Sequence, residues 1–345
     1  MFNIYRLLGV IWLCLFVISI SGERSVVSGD RKNQAQIKIK ALAIPCQFDP
    51  DNVPEMVEIP AGDLNMGATS SPFFKDKNAR PVHRVWVDSF EMSRCAVTVA
   101  AFRQFVELTG YVTDGERKKY YASQAEKGCM GWNVKKKQWL SSPEGYWKNP
   151  GFKQTEQNPV TCVSWNDAMA YIGWLNKRYN ANFRLPTESE WEYSAKAQNG
   201  VQVDDVITNH DICEFANGAD LSTQNEAWWD TSMVASDCDD DYAYIAPVVS
   251  FKANPWGLYN MQGNVWEWVQ DCFHENYNGA PENGTAWLND DGGDCYNRVL
   301  RGGGWISRPS ALRSVKRNWH HIDVADYATG FRLAQGGNSM YQHGL

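Results

Sequence analysis

Apolar and polar residues alternate along Met56–Met66 (MVEIPAGDLNM) and again along His83–Met92 (HRVWVDSFEM). A period of two predicts strands, with Pro60-Ala61-Gly62 as a turn inside the first stretch. Three later segments switch to the helical period, each behind a capping residue. Thr98 precedes VAAFRQFVELTG, which places Phe102, Phe105 and Val106 on one face and Gly110 at the stop. Ser164 precedes WNDAMAYIGWLNKR, with Asp167 three residues on and Ala168, Ile172 and Leu175 as the inner stripe. Thr187 opens ESEWEYSAKA with Glu190 at the capping-box position. Glu188, Glu190 and Glu192 invite an acid–base reading, but acids in a first helical turn are expected to cap free N–H groups and complement the dipole. From Gln198 to Leu345 no long amphipathic helix is legible. Turns, rings, acids and short apolar runs follow one another, and the ring content is too high for disorder. That half is expected to be loop-rich and held by disulfides and bound cations.

The chain's 345 residues, 43% apolar and 21% charged, have ordinary globular composition. A net charge of −7 leaves no broad basic face for nucleic acid. Sixteen Trp, 15 Tyr and 14 Phe, with 27 Gly, predict a turn-rich body whose core is filled by large rings. Arg6, the apolar run Leu7–Ile20 and the small residues Ser19, Ser21 and Gly22 read as a secretory signal peptide over 1–22. The run is shorter than the ~20 residues a spanning helix needs. The protein is therefore expected to be periplasmic or secreted, with no membrane span once the signal is removed. Residues 23–52 read as a leader, 53–336 as the folded domain and 337–345 as a tail.

Export changes the meaning of the cysteines. Cys14 lies in the signal, and eight remain, an even number that favours disulfides in an oxidising compartment. Neighbours along the chain suggest Cys213–Cys238 and Cys272–Cys295, each worth about 3.5 kcal/mol by chain entropy. Cys129–Cys162 and Cys46–Cys95 complete the set. No CxxC is present, so nothing supports a zinc knuckle or a thioredoxin-type site. His83 sits in a strand pattern without a partner at metal spacing and is not expected to be a ligand.

Two stretches place acceptor oxygens at suggestive spacing. In GLYNMQGNVWEW (Gly257–Trp268), Asn260 and Glu267 flank Gly263. Calcium takes about six to eight oxygens, often including carbonyls exposed by glycine turns. The other is DCDDDYAY (Asp237–Tyr244), with Asn217-Gly218 upstream; alone, such an acidic run is a solvated loop. A third stretch, RGGGWISRPSAL (Arg301–Leu312), has a glycine run but no Lys or Ser/Thr at P-loop spacing and no helix signal behind it, so it is not a phosphate loop.

These stretches, with RLPTESEWEY (Arg184–Tyr193), RVLRGGGW (Arg298–Trp305), GFRLA (Gly330–Ala334), VEIPAGDLNMG, VTVAAFRQFVELTGY and NPVTCVSWNDAMAYIGWL, resemble the formylglycine-generating-enzyme, or sulfatase-modifying-factor, family. The resemblance spans roughly Val53 to Ala334. It implies an irregular, loop-rich α+β domain related to C-type lectins and stabilised by disulfides and two calcium ions. One calcium would be held by the side chains of Asn260 and Glu267 and the carbonyls of Gly263 and Val265. The other would lie at Asn217, Gly218, Asp240 and Tyr242. The family's enzymes carry a cysteine, four further residues and a second cysteine, which bind copper and activate oxygen to oxidise a substrate cysteine. The matching positions here are Ser307 and Leu312, and Gly304 replaces a serine of the family pattern. Soft thiolates are what Cu(I) requires, so formylglycine generation with copper is not expected.

Other branches of the family lack the cysteine pair, and one resembles a periplasmic maturation factor for the siderophore pyoverdine. This kinship implies an oxidoreductase-type maturation factor acting on a peptide or peptide-derived substrate. The candidate residues are Trp266, Trp305, Ser307, Arg308 and Arg313, joined by Arg317 in one cleft. The competing reading is a non-catalytic, calcium-stabilised, lectin-like binding module, with Arg301, Arg317 and Arg332 only neutralising acidic calcium loops. Ser307 has no evident histidine base, which removes a hydrolase. A third, iron-dependent branch uses histidines of an N-terminal domain with no counterpart in this sequence, and the adjacent His320 and His321 would point apart on a strand. The sequence leaves the oligomeric state open.

Overall fold

The alternation across Met56–Met66 resolves into two strands that part company at Pro60-Ala61. β1 (Met56–Ile59) pairs antiparallel with β4 (Phe90–Ser93), whereas β2 (Gly62–Met66) pairs with β3 (His83–Val87). Along β2, Gly62, Leu64 and Met66 face inward and Asp63 and Asn65 face out. The computed structural model describes residues 46, 54–69, 76–117, 128–133, 135–197, 212–224, 226 and 234–337. The expected signal peptide, most of the leader and the tail beyond Gly337 lie outside the described residues.

The three capped helices form where expected. In α1 (Val99–Thr109) Thr98 Oγ1 accepts from Ala101 N, and Gly110 ends the helix at φ 68°. In α2 (Trp165–Tyr179) Ser164 and Asp167 form a reciprocal capping box, as do Thr187 and Glu190 at α3 (Glu188–Lys196). Tyr111 and Asp114 also donate to Asp167. α3 departs from the simple capping picture: its three acids are all buried and carry ion pairs, described below.

Beyond α3 the α-helix among the described residues is the single turn α4 (Leu221–Gln224). Apart from 3-10 turns at Ile212–Glu214, Asp290–Gly292 and Pro309–Ala311, the remaining regular structure described is extended. β8 (Trp266–Phe273), β9 (Asp294–Arg301), β10 (Arg317–His321) and β11 (Thr329–Phe331) make a sheet in the order β10-β9-β8-β11, with β11 parallel to β8. β12 (Ala334–Gly336) returns between β4 and β7 (Phe183–Arg184) in the order β1-β4-β12-β7. A hairpin, β5 (Cys129–Asn133) and β6 (Gln138–Ser142), stands apart from both sheets.

Rings fill the core, as the composition predicts. Phe102 packs edge-on against Phe105 and Trp147, each with centroids 5.4 Å apart, and Tyr171 and Phe331 close the cluster. Cys46–Cys95, Cys129–Cys162, Cys213–Cys238 and Cys272–Cys295 are all bonded, the two pairs suggested by chain neighbourhood together with the two that complete the set. The fold is thus a loop-rich α+β domain tied by disulfides. Among the described residues no helix is long and apolar enough to cross a membrane.

Candidate functional site

The glycine run at the end of β9 serves close packing. Gly302 and Gly303 adopt φ +99° and +80°, and a Cβ on Gly303 would stand 2.8 Å from the Ala311 carbonyl. A Cβ on Gly304 would meet the Ala328 carbonyl at 3.0 Å and the Trp266 ring at 3.4 Å. The turn thereby seats Trp305, fully buried, within a ring of aromatics: Tyr327 at 4.9 Å, Tyr244 at 5.1 Å and Phe152 at 5.4 Å between centroids. Trp139, half exposed on the β5–β6 hairpin, stacks edge-on against the outer side of Tyr327. The sequence marks Phe152 and Tyr327 with no motif, and it marks Tyr244 only as the end of the acidic stretch Asp237–Tyr244, not as a ring of this cluster.

Ser307 is 7% exposed, and its hydroxyl accepts from Gly304 N at 2.9 Å while its own N–H returns to the Gly304 carbonyl. That reciprocal pair braces the turn and commits the oxygen to the backbone. Leu312 is fully buried among Ile212, Ala216 and the Cys213–Cys238 disulfide. A Cβ on Gly218 would fall 2.5 Å from Leu312 Cδ1 and 3.2 Å from the Ser307 carbonyl. Of the other candidates, Trp266 lies beside Gly304, and Arg308 is exposed at the rim. Arg313 is tied to Asp76, which also takes Lys316. Burial alone would raise Asp76, but these two cations hold its carboxyl below the usual range.

Arg317 does not join this group. It is buried and forks onto Glu188 at 2.6 and 3.0 Å, with the His274 carbonyl at 3.0 Å. Arg301, its cross-strand neighbour, reaches Glu188 at 3.3 Å and Glu192. The expectation that both arginines serve the calcium loops is therefore corrected: their partners are the first-turn acids of α3. Arg332 does reach an acid of the Asn260 loop, binding both oxygens of Glu267 at 2.7 and 2.8 Å. His320 is half-buried beside Trp268, and desolvation pushes it down to about 4, whereas His321 pairs with Asp323 and stacks on Tyr296. The two rings part to different neighbours.

The two oxygen-rich loops touch. Asn264 N donates to the Asn217 carbonyl at 2.7 Å, and a Cβ on Gly263, at φ +76°, would lie 2.3 Å from that same oxygen. Three oxygens in these loops are buried without a hydrogen-bond partner: Asn217 Oδ1, Asp240 Oδ2 and Asn260 Oδ1. Buried acceptors of this kind are costly unless something positive meets them. Asp240 Oδ1 accepts from Tyr242 N, and burial together with neighbouring Asp220 raises the Asp240 carboxyl to about 8. Among the described residues no three His, Cys, Asp or Glu side chains converge on one point. Amide and carbonyl oxygens with few carboxylates suit a hard cation such as calcium. At the Asn260 loop the fit is weaker, because Glu267 already receives Arg332 and Trp191 Nε1. Copper does not fit the family position, where a backbone-bonded serine and a packed leucine stand and all eight described cysteines are in disulfides.

Comparison with known proteins places this geometry among relatives. Residues 45–336 match the family described as sulfatase-modifying factor enzyme 1-like domain. The chain is 32% identical over 308 residues to the formylglycine-generating enzyme of Thermomonospora curvata, covering 81% of this chain and 92% of that protein. It is also 30% identical over 312 residues to the inactive C-alpha-formylglycine-generating enzyme 2 of Bos taurus, covering 81% and 88%. Among solved structures it is similar to PvdO from Pseudomonas aeruginosa, with a TM-score of 0.63 and 28% identity over 84% of this chain and 98% of that one.

Proposed function

Because the chain belongs to the sulfatase-modifying-factor family, we propose that it is an exported maturation factor that engages a peptide or peptide-derived substrate and does not generate formylglycine. The observation that carries this reading is what fills the two cysteine positions. Ser307 spends its hydroxyl on Gly304 N, and Leu312 is sealed into an apolar cluster. Kinship with PvdO, across most of both chains, favours maturation of a peptide-derived compound over sulfatase activation. The oxidoreductase character of this chemistry is part of the proposal. Calcium has a structural part in it: Asn217, Gly218, Asp240 and Tyr242 would hold one ion, and Asn260, Gly263, Val265 and Glu267 a second.

The surface that meets the substrate is the aromatic wall over Trp305. Tyr327 and Trp139 offer ring faces, and Arg308 offers an exposed guanidinium for an anionic group. Two experiments test the reading. Purified protein supplied with Cu(I) and a cysteine-bearing sulfatase peptide should yield no aldehyde, and an aldehyde would overturn it. Deleting the gene in its host should leave one exported peptide-derived compound immature by mass spectrometry. Wild type should restore it and Arg308→Ala should not.

The second reading, a calcium-stabilised binding module, draws on the burial of Trp305 and Ser307, which leaves no open nucleophile at the family position. An unchanged exported profile after deletion, with an unmodified peptide or glycan co-purifying, would favour it.

A further inference from the structure

We propose that Asp220, which is not among the ligand positions implied by family resemblance, supplies a second carboxylate to the cation site at Asn217 and Asp240. The proposal rests on the calcium reading of that loop. Residues 197–251 contain eleven Asp and Glu and no Lys or Arg. With a whole-chain net charge of −7, the remainder of the protein is net positive, so the negative excess is confined to this segment.

Within it Asp220 is 1% exposed and Asp240 7% exposed. No ion pair among the described residues reaches either one. Asp220 Oδ2 accepts from Asp240 N at 2.7 Å, and Oδ1 accepts from Thr223 N at 3.1 Å. The two carboxylates therefore sit on adjoining backbone, with Asp240 Oδ2 and Asn217 Oδ1 buried and unpartnered close by in the chain. Two buried carboxylates without a counter-cation disfavour each other's ionisation. A divalent cation meets both charges and the orphaned oxygens at once.

A disulfide and backbone hydrogen bonds tie this arrangement together. Cys213–Cys238 closes the segment, and Ser236 N to Ala219 O (2.8 Å) and Leu221 N to Cys238 O (3.0 Å) fix the two arms in register. Preorganised ligands lose little freedom on binding. Calcium affinity is tuned by ligand charge count and site rigidity, and Asp220 raises both. One residue away, Ala219 N donates to the Ser307 carbonyl at 2.9 Å, which couples the cation loop to the glycine turn.

The test is calcium titration of the full secreted protein by isothermal calorimetry, with native mass spectrometry for stoichiometry. Asp220→Asn should weaken calcium binding by about tenfold or more, in keeping with the loss of one ligand charge. Asp239→Asn, which removes an exposed charge from the same run, should weaken it by less than about threefold. Thr223→Ala removes the hydroxyl that accepts from Asp220 N at 2.8 Å and donates to the Asp220 carbonyl at 2.7 Å, takes away no charge, and should lower Tm while leaving calcium affinity near wild type. Unchanged affinity in Asp220→Asn overturns the proposal, as does an equal loss in Asp239→Asn or Thr223→Ala. Should Asp220→Asn not fold, Asp220→Glu replaces it, and wild-type affinity in that displaced carboxylate has the same consequence. Wild type that binds no calcium would instead bring down the calcium reading itself.

Discussion

Gly263→Ala should be among the most damaging single methyl groups that can be added to this protein. Gly263 sits at φ +76°, and its Cβ would lie 2.3, 2.9 and 3.0 Å from the O, N and C atoms of Asn217, all backbone and unable to swing aside. The left-handed backbone alone costs an alanine ~1–2 kcal/mol. Crowding against a fixed main chain adds ~1–3 kcal/mol. Pushing the loops apart also strains the Asn264 N to Asn217 O bond, worth ~1 kcal/mol. The expected loss is roughly 3–6 kcal/mol, read from urea unfolding in calcium-containing buffer. Gly110→Ala is the matched control: its φ is +68°, yet nothing lies within 4 Å of the added methyl. It should lose only the conformational part, ~1–2 kcal/mol. If the two variants unfold at the same urea concentration with equal m-values, the close approach of the two loops does not exist in solution and the argument for a joined cation region fails with it.

Leu312→Ala should cost roughly 2–5 kcal/mol by leaving a cavity against the Cys213–Cys238 disulfide, measured by the same unfolding curves; a loss below 1 kcal/mol would mean the site is open rather than packed. Asp326 is buried, and burial outweighs its bonds from Ala328 N and Thr329 Oγ1 to raise its carboxyl from 3.8 to about 7. The folded state then holds the proton that the unfolded state releases first, so this group's contribution falls as pH rises from 4 towards 7, by at most roughly 4 kcal/mol. Asp326→Asn should flatten that part of the stability–pH curve, and an unchanged curve would refute the assignment. Arg317→Met leaves Glu188 short of one buried partner and should destabilise by roughly 3–5 kcal/mol, with Arg308→Met at the exposed rim near zero in the same calorimetric scan.

What the sequence made legible followed local chemistry. Thr98, Ser164 and Thr187 announce their helices because a cap and its partner lie within three or four residues. The disulfides follow chain neighbours because each pair closes a modest loop. β8 escapes detection because Trp266 to Cys272 are buried on both faces, which erases the alternation that marks a half-exposed strand. The destinations of Arg301 and Arg317 were equally hidden: Glu188 lies 113 and 129 residues away, and no local pattern encodes a contact at that range. At the candidate site the replacement of both cysteines was plain in the sequence. That the serine would turn its hydroxyl into its own backbone, and that Phe152, Tyr244 and Tyr327 would close over Trp305, required the fold. Asp220 carries no local motif of its own, and only the lack of Lys and Arg across 197–251 marks its segment.

Gly218 and Leu312 occupy what is in effect one volume, since the Cβ that glycine lacks would overlap the Leu312 methyl at 2.5 Å. Ancestry written into such a pair is reciprocal. A lineage that places a short side chain at 312 gains room for a branched one at 218, and a lineage that enlarges 312 must strip 218 back to glycine. The two positions, 94 residues apart in the chain, are therefore expected to change together across descendants of a common gene. The glycine upstream would then identify, in a bare sequence, the members in which a leucine has displaced the thiol.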